Sequence, residues 1–347
     1  MNIYENKLYQ EDLKYVRNLD LPWEKMQKKS ILISGATGLI GSFLIDVLVG
    51  IDCKIFALGR NEERARQRFK DNWDKIKFIK YDINNPISGD FPKKIDYVIH
   101  LASNTHPVAY STDPIGTITT NIIGLKNILD FSFEHKAKRT VFASSNEVYG
   151  ENRGDVEFFD ENYCGYINCN TLRAGYNESK RCGEALCQAY VKQKNMDVVI
   201  ARFTRSYGPT ILKSDTKALS QFINNGLNKE DIVLKSDGTQ YYSYSYVLDS
   251  VSGLLTILLK GECGEAYNVA DKKSDIQLKD LAQLIAQLSQ TRVVFDLPTQ
   301  KESEGFSKAT KARLSGEKLK TLGWNMKYDI KEGIARNLNI LKEIISE

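Results

Sequence analysis

Two side chains that could move a proton together stand four residues apart in the segment Tyr176-Asn177-Glu178-Ser179-Lys180. The segment is predicted to begin a helix, and this spacing places Tyr176 and Lys180 on one helical face. An ammonium group near a phenol favours the phenolate and thereby lowers the pKa of the phenol. Tyr176 could then remove or return a hydroxyl proton while a hydride moves to or from a nicotinamide cofactor, whose ribose Lys180 could hold.

A second polar run, ASSNEVYG at residues 143–150, closes a predicted strand. Ligands of open α/β sheets bind at the carboxyl ends of the strands, so a serine of this run could hydrogen-bond a reacting oxygen. Glu147 would be a buried carboxylate beside the substrate and available as a base. The alternative for Glu147 is a helix cap or a surface ion pair.

The strongest local signal is the segment SGATGLIG at residues 34–41, between a predicted strand and a predicted helix. Its three glycines allow a tight turn, close approach of the backbone to a pyrophosphate, and close helix–strand packing. The helix N-terminus directs amide N–H groups and a partial positive charge towards the phosphates. The pattern predicts a dinucleotide-binding loop that uses Gly35, Thr37, Gly38, Leu39, Ile40 and Gly41.

The adenosine end of such a site usually carries an acid about 20 residues further on, which binds the ribose hydroxyls. Here the second strand ends in Leu58-Gly59-Arg60-Asn61, without an acid. Arg60 could face a 2′-phosphate, which would favour NADP, or it could stack on adenine or simply be exposed. Asp82 and Ile83, after the third predicted strand, are expected to contact the adenine.

The elements that must position these residues alternate regularly from Lys29 to about Ala201. Runs rich in Ile and Val, separated by helices, are typical of a parallel sheet that is buried on both faces. The sequence therefore predicts an α/β fold, a Rossmann-type doubly wound parallel sheet with a smaller C-terminal α/β substrate lobe. The predicted strands are Ser30–Ser34, Lys54–Leu58, Lys77–Lys80, Tyr97–Leu101, Arg139–Ser144 and Val198–Arg202, and the predicted helices lie near Leu39–Val49, Glu62–Asn72, Ile115–Glu134 and Gly175–Lys194.

The regular alternation ends after Tyr207-Gly208-Pro209, which suggests a division of the chain. A short amphipathic helix in the N-terminal extension is expected to act as a cap or a subunit contact. The predicted parts are the extension at 1–28, the dinucleotide-binding domain at 29–205 with 238–262 returning to it, and the substrate lobe at 206–237 and 263–347.

Composition excludes several classes of protein. With 347 residues, 42% of them hydrophobic, the chain is not disordered, and a net charge of 48 − 44 = +4 spread along it gives no sign of nucleic-acid binding. Three histidines and six cysteines without a Cys-x-x-Cys pair predict no metal site, and the cysteines suggest the reducing cytoplasm. The N-terminus lacks a signal-peptide core, and polar residues interrupt the apolar stretch 31–50, so we expect no membrane span.

With these motifs in register, residues 29 to 347 resemble the extended short-chain dehydrogenase/reductases that modify nucleotide-diphosphate sugars. Within that family, the stretch from Leu101 to Pro114 and the stretch from Gly165 to Arg181 look most like those of UDP-glucuronate decarboxylases. Further motifs that carry the resemblance are Thr120-Asn121, Arg202 with Tyr207-Gly208-Pro209, Tyr246-Val247-x-Asp249, Gly264–Val269 and Leu322-Gly323-Trp324.

The resemblance implies roles for particular residues. Ser145, Tyr176 and Lys180 would be catalytic, with Glu147 matching a glutamate shared by the decarboxylases and the 4,6-dehydratases. It further implies a tightly bound NAD, a nucleotide-diphosphate sugar as substrate, and a homodimer formed through the helices near 115–134 and 175–194. The remaining implied contacts are Leu101, Ala102, Ser103, Asn121 and Phe203 for the cofactor, and His106, Asn146, Arg205, Tyr242 and Arg313 for the substrate.

Two positions depart from the family pattern. An arginine that helps to bind the diphosphate is replaced by Tyr242, and an asparagine three residues after Arg202 is replaced by Arg205. We expect Arg205 to supply the missing guanidinium. Asn146 occupies the position at which the dehydratases carry an aspartate that acts as a catalytic acid. An amide cannot donate the catalytic proton, and this disfavours dehydration.

The sequence therefore predicts an enzyme that acts through a 4-keto sugar, most like a nucleotide-diphosphate-glycuronate decarboxylase. The alternatives are a 4-epimerase, then a 4,6-dehydratase or an NADPH-dependent keto-sugar reductase. A non-catalytic dinucleotide-sensing protein is also conceivable, but it would not need Tyr176 and Lys180.

Overall fold

A computed structural model describes residues 2–105, 110, 112–212, 215–296 and 311–345. The strands are β1 (Ser30–Ser34), β2 (Lys54–Gly59), β3 (Ile76–Lys80), β4 (Tyr97–His100), β5 (Arg139–Ser145), β6 (Val198–Phe203), β7 (Arg205–Tyr207), β8 (Ile232–Leu234), β9 (Tyr241–Tyr246), β10 (Ala266–Val269), β11 (Asp275–Gln277), β12 (Val293–Phe295) and β13 (Lys311–Ala312). The helices are α1 (Lys7–Arg17), α2 (Leu39–Leu48), α3 (Glu62–Arg68), α4 (Pro114–Glu134), α5 (Ala174–Lys194), α6 (Ala218–Leu227), α7 (Val247–Lys260), α8 (Leu278–Ser289), α9 (Glu317–Thr321) and α10 (Ile330–Ile345).

Seven strands form the main sheet in the order β10-β6-β5-β4-β1-β2-β3, and all neighbours are parallel. Strand order reverses between β1 and β4, which makes the switch point at which open α/β sheets bind ligands. Helices cover both faces, so β1 and β4 are almost fully buried and apolar at their centres. The predicted Rossmann-type fold is confirmed.

The predicted elements of this sheet agree with the structure to within one or two residues, with one exception. A single helix was expected over Glu62–Asn72, but α3 ends at Arg68 and a 3₁₀ segment follows over Lys70–Lys75. Asn72 has a non-helical φ of −129° there. Asp and Asn side chains compete for backbone hydrogen bonds, and this favours such irregular turns over a continuous helix.

Two smaller sheets lie beyond the carboxyl edge of the main sheet. One contains β11, β9 and β13, with β7 also paired to β9, and the other pairs β12 with β8. The sequence division was wrong for β10, which it assigned to the substrate lobe, because β10 extends the main sheet beside β6. Of the returning segment 238–262, only α7 packs against the main sheet, since β9 belongs to the smaller one. These strands are too short for their sequences to specify a partner.

The N-terminal extension packs onto its own chain. Helix α1 buries Leu13 and Val16, and it contacts α2 and α7. The hydroxyl of Tyr4 donates to Asp46 of α2 at 2.7 Å, and the hydroxyl of Tyr9 donates to the same buried carboxylate. The extension thereby holds the helix that begins at the glycine loop. Among the described residues, no helix is long and apolar enough to cross a membrane.

Candidate active site

A cavity of about 1050 Å³ opens between the carboxyl edge of the main sheet and the smaller sheets. It joins the segments that the sequence motifs singled out, because the glycine loop, the ends of β4, β5 and β6, and the start of α5 all meet there. The predicted site residues that line it are Gly35, Thr37, Gly38, Leu39, Ile40, Gly41, Arg60, Asp82, Ile83, Leu101, Ala102, Ser103, Ser145, Asn146, Glu147, Tyr176, Lys180, Phe203, Arg205 and Tyr242.

The glycine loop has the geometry that a bound dinucleotide requires. Gly35 has a φ of +72°, and a Cβ atom there would lie only 2.8 Å from the backbone N of Ala102. A Cβ on Gly41 would collide with the carbonyl of Gly35, so both positions need glycine. Gly38 caps α2, whose N-terminus faces the cavity. These residues fit the pyrophosphate of a dinucleotide cofactor.

Asn121 does not line the cavity but supports residues that do. It is fully buried; its Oδ1 accepts a hydrogen bond from Ser103 at 2.7 Å, and its Nδ2 donates to Ser179 at 2.9 Å. The Ser179 hydroxyl in turn donates to the carbonyl of Tyr176. Asn121 therefore ties the loop after β4 to the first turn of α5, and its predicted contact with the cofactor stays a prediction.

The adenosine end of the cavity is positively charged. Arg60 follows β2 and is exposed, and Arg64 of α3 lines the same part of the cavity. Arg64 was not predicted, although its spacing of four residues from Arg60 was a usable signal. The carboxylate at this end is that of Asp82, whose Oδ1 accepts from the backbone N–H of Asn84 at 3.0 Å.

The Tyr176 phenol lies in the middle of the site and is 6% exposed. Its ring centroid is 4.9 Å from that of Tyr110, which belongs to the stretch from Leu101 to Pro114 but was not among the predicted site residues. Burial raises the pKa of Tyr176 to about 12, against hydrogen bonds from Ser145 and Ser103, which lower it. The expected net lowering of this pKa is therefore wrong for the protein alone, because desolvation outweighs the favourable contacts.

Lys180 is 3% exposed, and its Nζ donates to the carbonyl of Ala143 at 2.9 Å. Burial lowers its pKa to about 7, and the nearby carboxylate of Glu184 acts in the opposite direction. The same Glu184 accepts from Arg202 at 2.9 and 2.6 Å. Burial therefore works against the ammonium form of Lys180 in the protein alone.

Glu147 is held inside the cavity by two donors. Its Oε2 accepts from Nη2 of Arg173 at 2.9 Å and from Nδ2 of Asn177 at 3.0 Å. Arg173 and Asn177 stand one helical turn apart, with a further hydrogen bond of 2.6 Å between them. The ion pair foreseen as the alternative for Glu147 does form, but it lies at the catalytic end of the cavity and not on the outer surface.

The other half of the cavity contains Arg205 and Tyr242. Cζ of Arg205 lies 3.5 Å from the centroid of the Tyr242 ring. Arg313 does not line the cavity: it pairs with Glu157 at 3.2 Å and stacks on Phe158. Arg313 therefore lies outside this cavity as described, and its expected contact with the substrate stays a prediction. His106 lies outside the described residues.

A dinucleotide loop and a Ser–Tyr–Lys set at one edge of a parallel sheet define an oxidoreductase-type site of the short-chain dehydrogenase/reductase class. Residues 31–270 match the model of the NAD dependent epimerase/dehydratase family. The chain is 30% identical to UDP-glucuronic acid decarboxylase 1 of Xenopus tropicalis over 319 residues, which cover 91% of this chain and 73% of that protein. The chain belongs to the NAD-dependent epimerase/dehydratase family, and it is an NAD-dependent enzyme that modifies nucleotide sugars.

Solved structures share this fold. UDP-glucose 4-epimerase from Thermotoga maritima superposes with a TM-score of 0.79 at 21% identity, over 91% of this chain and 99% of that one. UDP-glucuronic acid 4-epimerase from Bacillus cereus, in complex with UDP-glucuronic acid and NAD, superposes with a TM-score of 0.77 at 22% identity, over 91% and 99% of the two chains.

Proposed function

We propose that this protein decarboxylates a nucleotide-diphosphate glucuronate through a 4-keto sugar and regenerates its NAD in each cycle. The observation that carries the proposal is the carboxylate of Glu147, held by Arg173 and Asn177 in the same cavity as Tyr176. The similarity to UDP-glucuronic acid decarboxylases over most of the chain supports the same reaction.

Each step has a residue in a suitable place. NAD, which the glycine loop at Gly35, Gly38 and Gly41 would hold, would supply the acceptor for the hydride of C4 and the donor that restores it. Tyr176, as the phenolate, accepts the C4 hydroxyl proton, and Ser145 hydrogen-bonds the same oxygen. Protonated Lys180, and the positive charge that NAD would bring, favour this phenolate against the burial that raises the pKa of the phenol.

The 4-ketone makes the sugar a β-keto acid, so the bond from C5 to the carboxylate can break. Carbon dioxide leaves, the electron pair passes into an enolate over C4 and C5, and C5 then takes up a proton. Arg173 can pair with the sugar carboxylate before it leaves, and Glu147 orients Arg173 or delivers a proton. Asn146, buried at the cavity wall, cannot act as the acid that elimination of water from C5 and C6 needs.

The test is product analysis with the purified protein in the presence of NAD. UDP-glucuronate labelled with ¹³C at C6 should release labelled carbon dioxide and leave a UDP-pentose, as followed by NMR. UDP-glucose and UDP-N-acetylglucosamine should remain unchanged. A C4 epimer without carbon dioxide would replace this proposal by epimerisation, and turnover that consumes added NADPH would replace it by reduction.

We also propose that two copies associate through α4 and α5. These helices pack against each other, and α4 leaves apolar side chains on its outer face, including Ile115 at 76% exposure and Phe133 at 46%. Covering such a face is a common reason for association. Light scattering should give a dimer mass, and Ile115→Glu with Phe133→Glu should give a monomer.

All six cysteines are free, which supports the cytoplasm as the place of action.

A further inference from the structure

The N-terminal extension is joined to the cofactor-binding part of the chain through one buried carboxylate. Asp46 of α2 is 1% exposed and accepts hydrogen bonds from the hydroxyls of Tyr4 and Tyr9. Arg68, the last residue of α3, donates to the same carboxylate and to the hydroxyl of Tyr4, the latter at 2.7 Å. The extension, α2 and α3 therefore share one hydrogen-bonded centre.

Both of these helices line the cofactor end of the cavity. Residues 38–41 at the start of α2 belong to the glycine loop, and α3 carries Arg64 one turn before Arg68. Arg17, the last residue of α1, donates to the carbonyl of Val47 at 2.9 Å near the other end of α2. The extension therefore fixes the two helices that form this wall of the cavity.

A second buried carboxylate joins α1 to the substrate side of the molecule. Asp12 is fully buried; it accepts from the hydroxyl of Tyr246 on β9 at 2.8 Å and from Nε of Arg336 on α10 at 2.7 Å. Arg336 also donates to the carbonyl of Leu8 at 2.7 Å. Strand β9 carries Tyr244, which lines the cavity. Asp12 thus ties the extension to the strand that forms the opposite wall.

The two ties lie one helical turn apart, at Tyr9 and at Asp12, so α1 joins both walls through a single helix. Breaking either tie would leave a buried carboxylate without one of its partners, which is costly. A dinucleotide that lies between two walls leaves when they separate, and opening steps of this kind commonly limit the release of bound molecules. The extension is therefore placed where it can slow the release of the cofactor.

We propose that the N-terminal extension retains NAD in the protein, because it holds α2 and α3 against β9 and α10. Tyr4, Tyr9 and Asp12 are the positioning residues, and they lie outside the cavity lining. The inference goes beyond the proposed function, since it concerns the release of NAD and not the reaction of the sugar.

The dissociation rate of NAD tests this role without any sugar substrate. Protein loaded with isotopically labelled NAD is mixed with excess unlabelled NAD, and the label that stays bound is followed over time. Tyr4→Phe with Tyr9→Phe removes both hydroxyls from the Asp46 centre but keeps the rings and the Asp46–Arg68 pair. Asp12→Asn weakens the other tie. Each variant should release NAD about tenfold faster than the wild type, because it loses hydrogen bonds to a buried charged group. Wild-type rates in both variants would overturn the proposal.

The matched control is Tyr190→Phe with Tyr267→Phe, which also removes two bonded hydroxyls. Tyr190 donates to Asp130 at 2.6 Å, and Tyr267 accepts from the backbone N–H of Glu262 at 2.9 Å, both away from the extension and the cavity. This variant should release NAD at the wild-type rate even if its melting temperature falls as far as that of the extension variants. Equally fast release from the control would reduce the effect to general destabilisation and contradict the proposal.

A connection between two walls needs both of its ties. The variant that combines Tyr4→Phe, Tyr9→Phe and Asp12→Asn should therefore release NAD no faster than the faster of its two parents. Multiplied rates would show that each tie acts only on its own wall, which contradicts the proposal. If Asp12→Asn does not fold, Tyr246→Phe removes one partner of Asp12 and keeps its pair with Arg336. This milder variant should still release NAD faster than the wild type, and an unchanged rate would overturn the proposal.

Discussion

Nη2 of Arg173 lies 2.9 Å from Oε2 of Glu147, on the wall of the cavity that holds Tyr176. The two residues come from different elements, the short turn after β5 and the cap of α5, and 26 positions separate them in the chain. The pair adds to the hydride-transfer set a charged group that can bind a sugar carboxylate. Under the proposed function this pair serves the chemistry at C5, which simple oxidation at C4 would not need.

Replacing Glu147 tests this pair directly. Glu147→Gln should lower turnover of UDP-glucuronate by about 10²–10⁴, because it removes the carboxylate that orients Arg173 or moves the proton. Substrate affinity, measured by calorimetry, should change far less than turnover. Glu157→Gln is the matched control, since Glu157 also pairs with an arginine but lies outside the cavity. Equal turnover in wild type and Glu147→Gln would contradict the role.

Tyr176→Phe should reduce turnover by a similar factor of about 10²–10⁴, because the phenol is the group proposed to exchange the C4 proton. The ring remains, so the variant should still bind NAD and UDP-glucuronate. Tyr190→Phe on the same helix is the control, as its hydroxyl donates to Asp130 away from the cavity. Stopped-flow absorbance at the reduced nicotinamide band would locate the loss: a block before hydride transfer is expected, and normal accumulation of reduced cofactor would contradict it.

Arg60 and Arg64 should govern the response to a 2′-phosphate. Arg60→Ala and Arg64→Ala are each expected to weaken NADP binding by about tenfold while NAD binding changes little, because the arginines face the ribose end without a neutralising acid from β2. Fluorescence titration with both cofactors measures this. Arg66→Ala is the control on the same helix, because Arg66 pairs with Glu62 outside the cavity. Equal weakening of NAD binding and NADP binding would show that the arginines contact a part common to both cofactors.

The buried Asp249 should make stability depend on pH. Burial raises its pKa to about 7, against backbone N–H bonds from Lys327 and Tyr328. The folded protein then holds a proton that the unfolded chain releases near pH 4, so this group stabilises the fold most at low pH and loses that contribution as pH rises to about 7.

The asparagine of Asp249→Asn does not titrate. The free energy of unfolding of the wild type should therefore fall, relative to that of the variant, by on the order of 2 kcal/mol between pH 5 and pH 8. Urea unfolding at the two pH values measures the difference. Asp280→Asn, at an exposed position of α8, controls for the change in net charge. A constant difference between wild type and Asp249→Asn at both pH values would contradict the assignment.

Local sequence patterns predicted most of the fold and the cofactor-binding half of the site. Gly35 and Gly41 could be predicted from the sequence because no other residue fits there. Gly35 has a positive φ, and both glycines lie too close to neighbouring backbone for a Cβ atom. Tyr176 and Lys180 are readable because helical spacing alone puts them on one face. The buried strands are readable because a sheet covered on both faces needs continuous apolar runs.

The tertiary structure decided what depends on contacts between distant segments. Burial, and not the neighbouring lysine, sets the pKa of Tyr176. Arg313 was expected in the cavity but stacks on Phe158, and β10 joins the main sheet, because packing partners are chosen only when the chain folds. The sequence by itself determined the dinucleotide fold and its proton-transfer residues, whose geometry is local. Only the folded chain brought Arg205 onto the ring of Tyr242, since desolvation and long-range strand pairing have no local sequence signature.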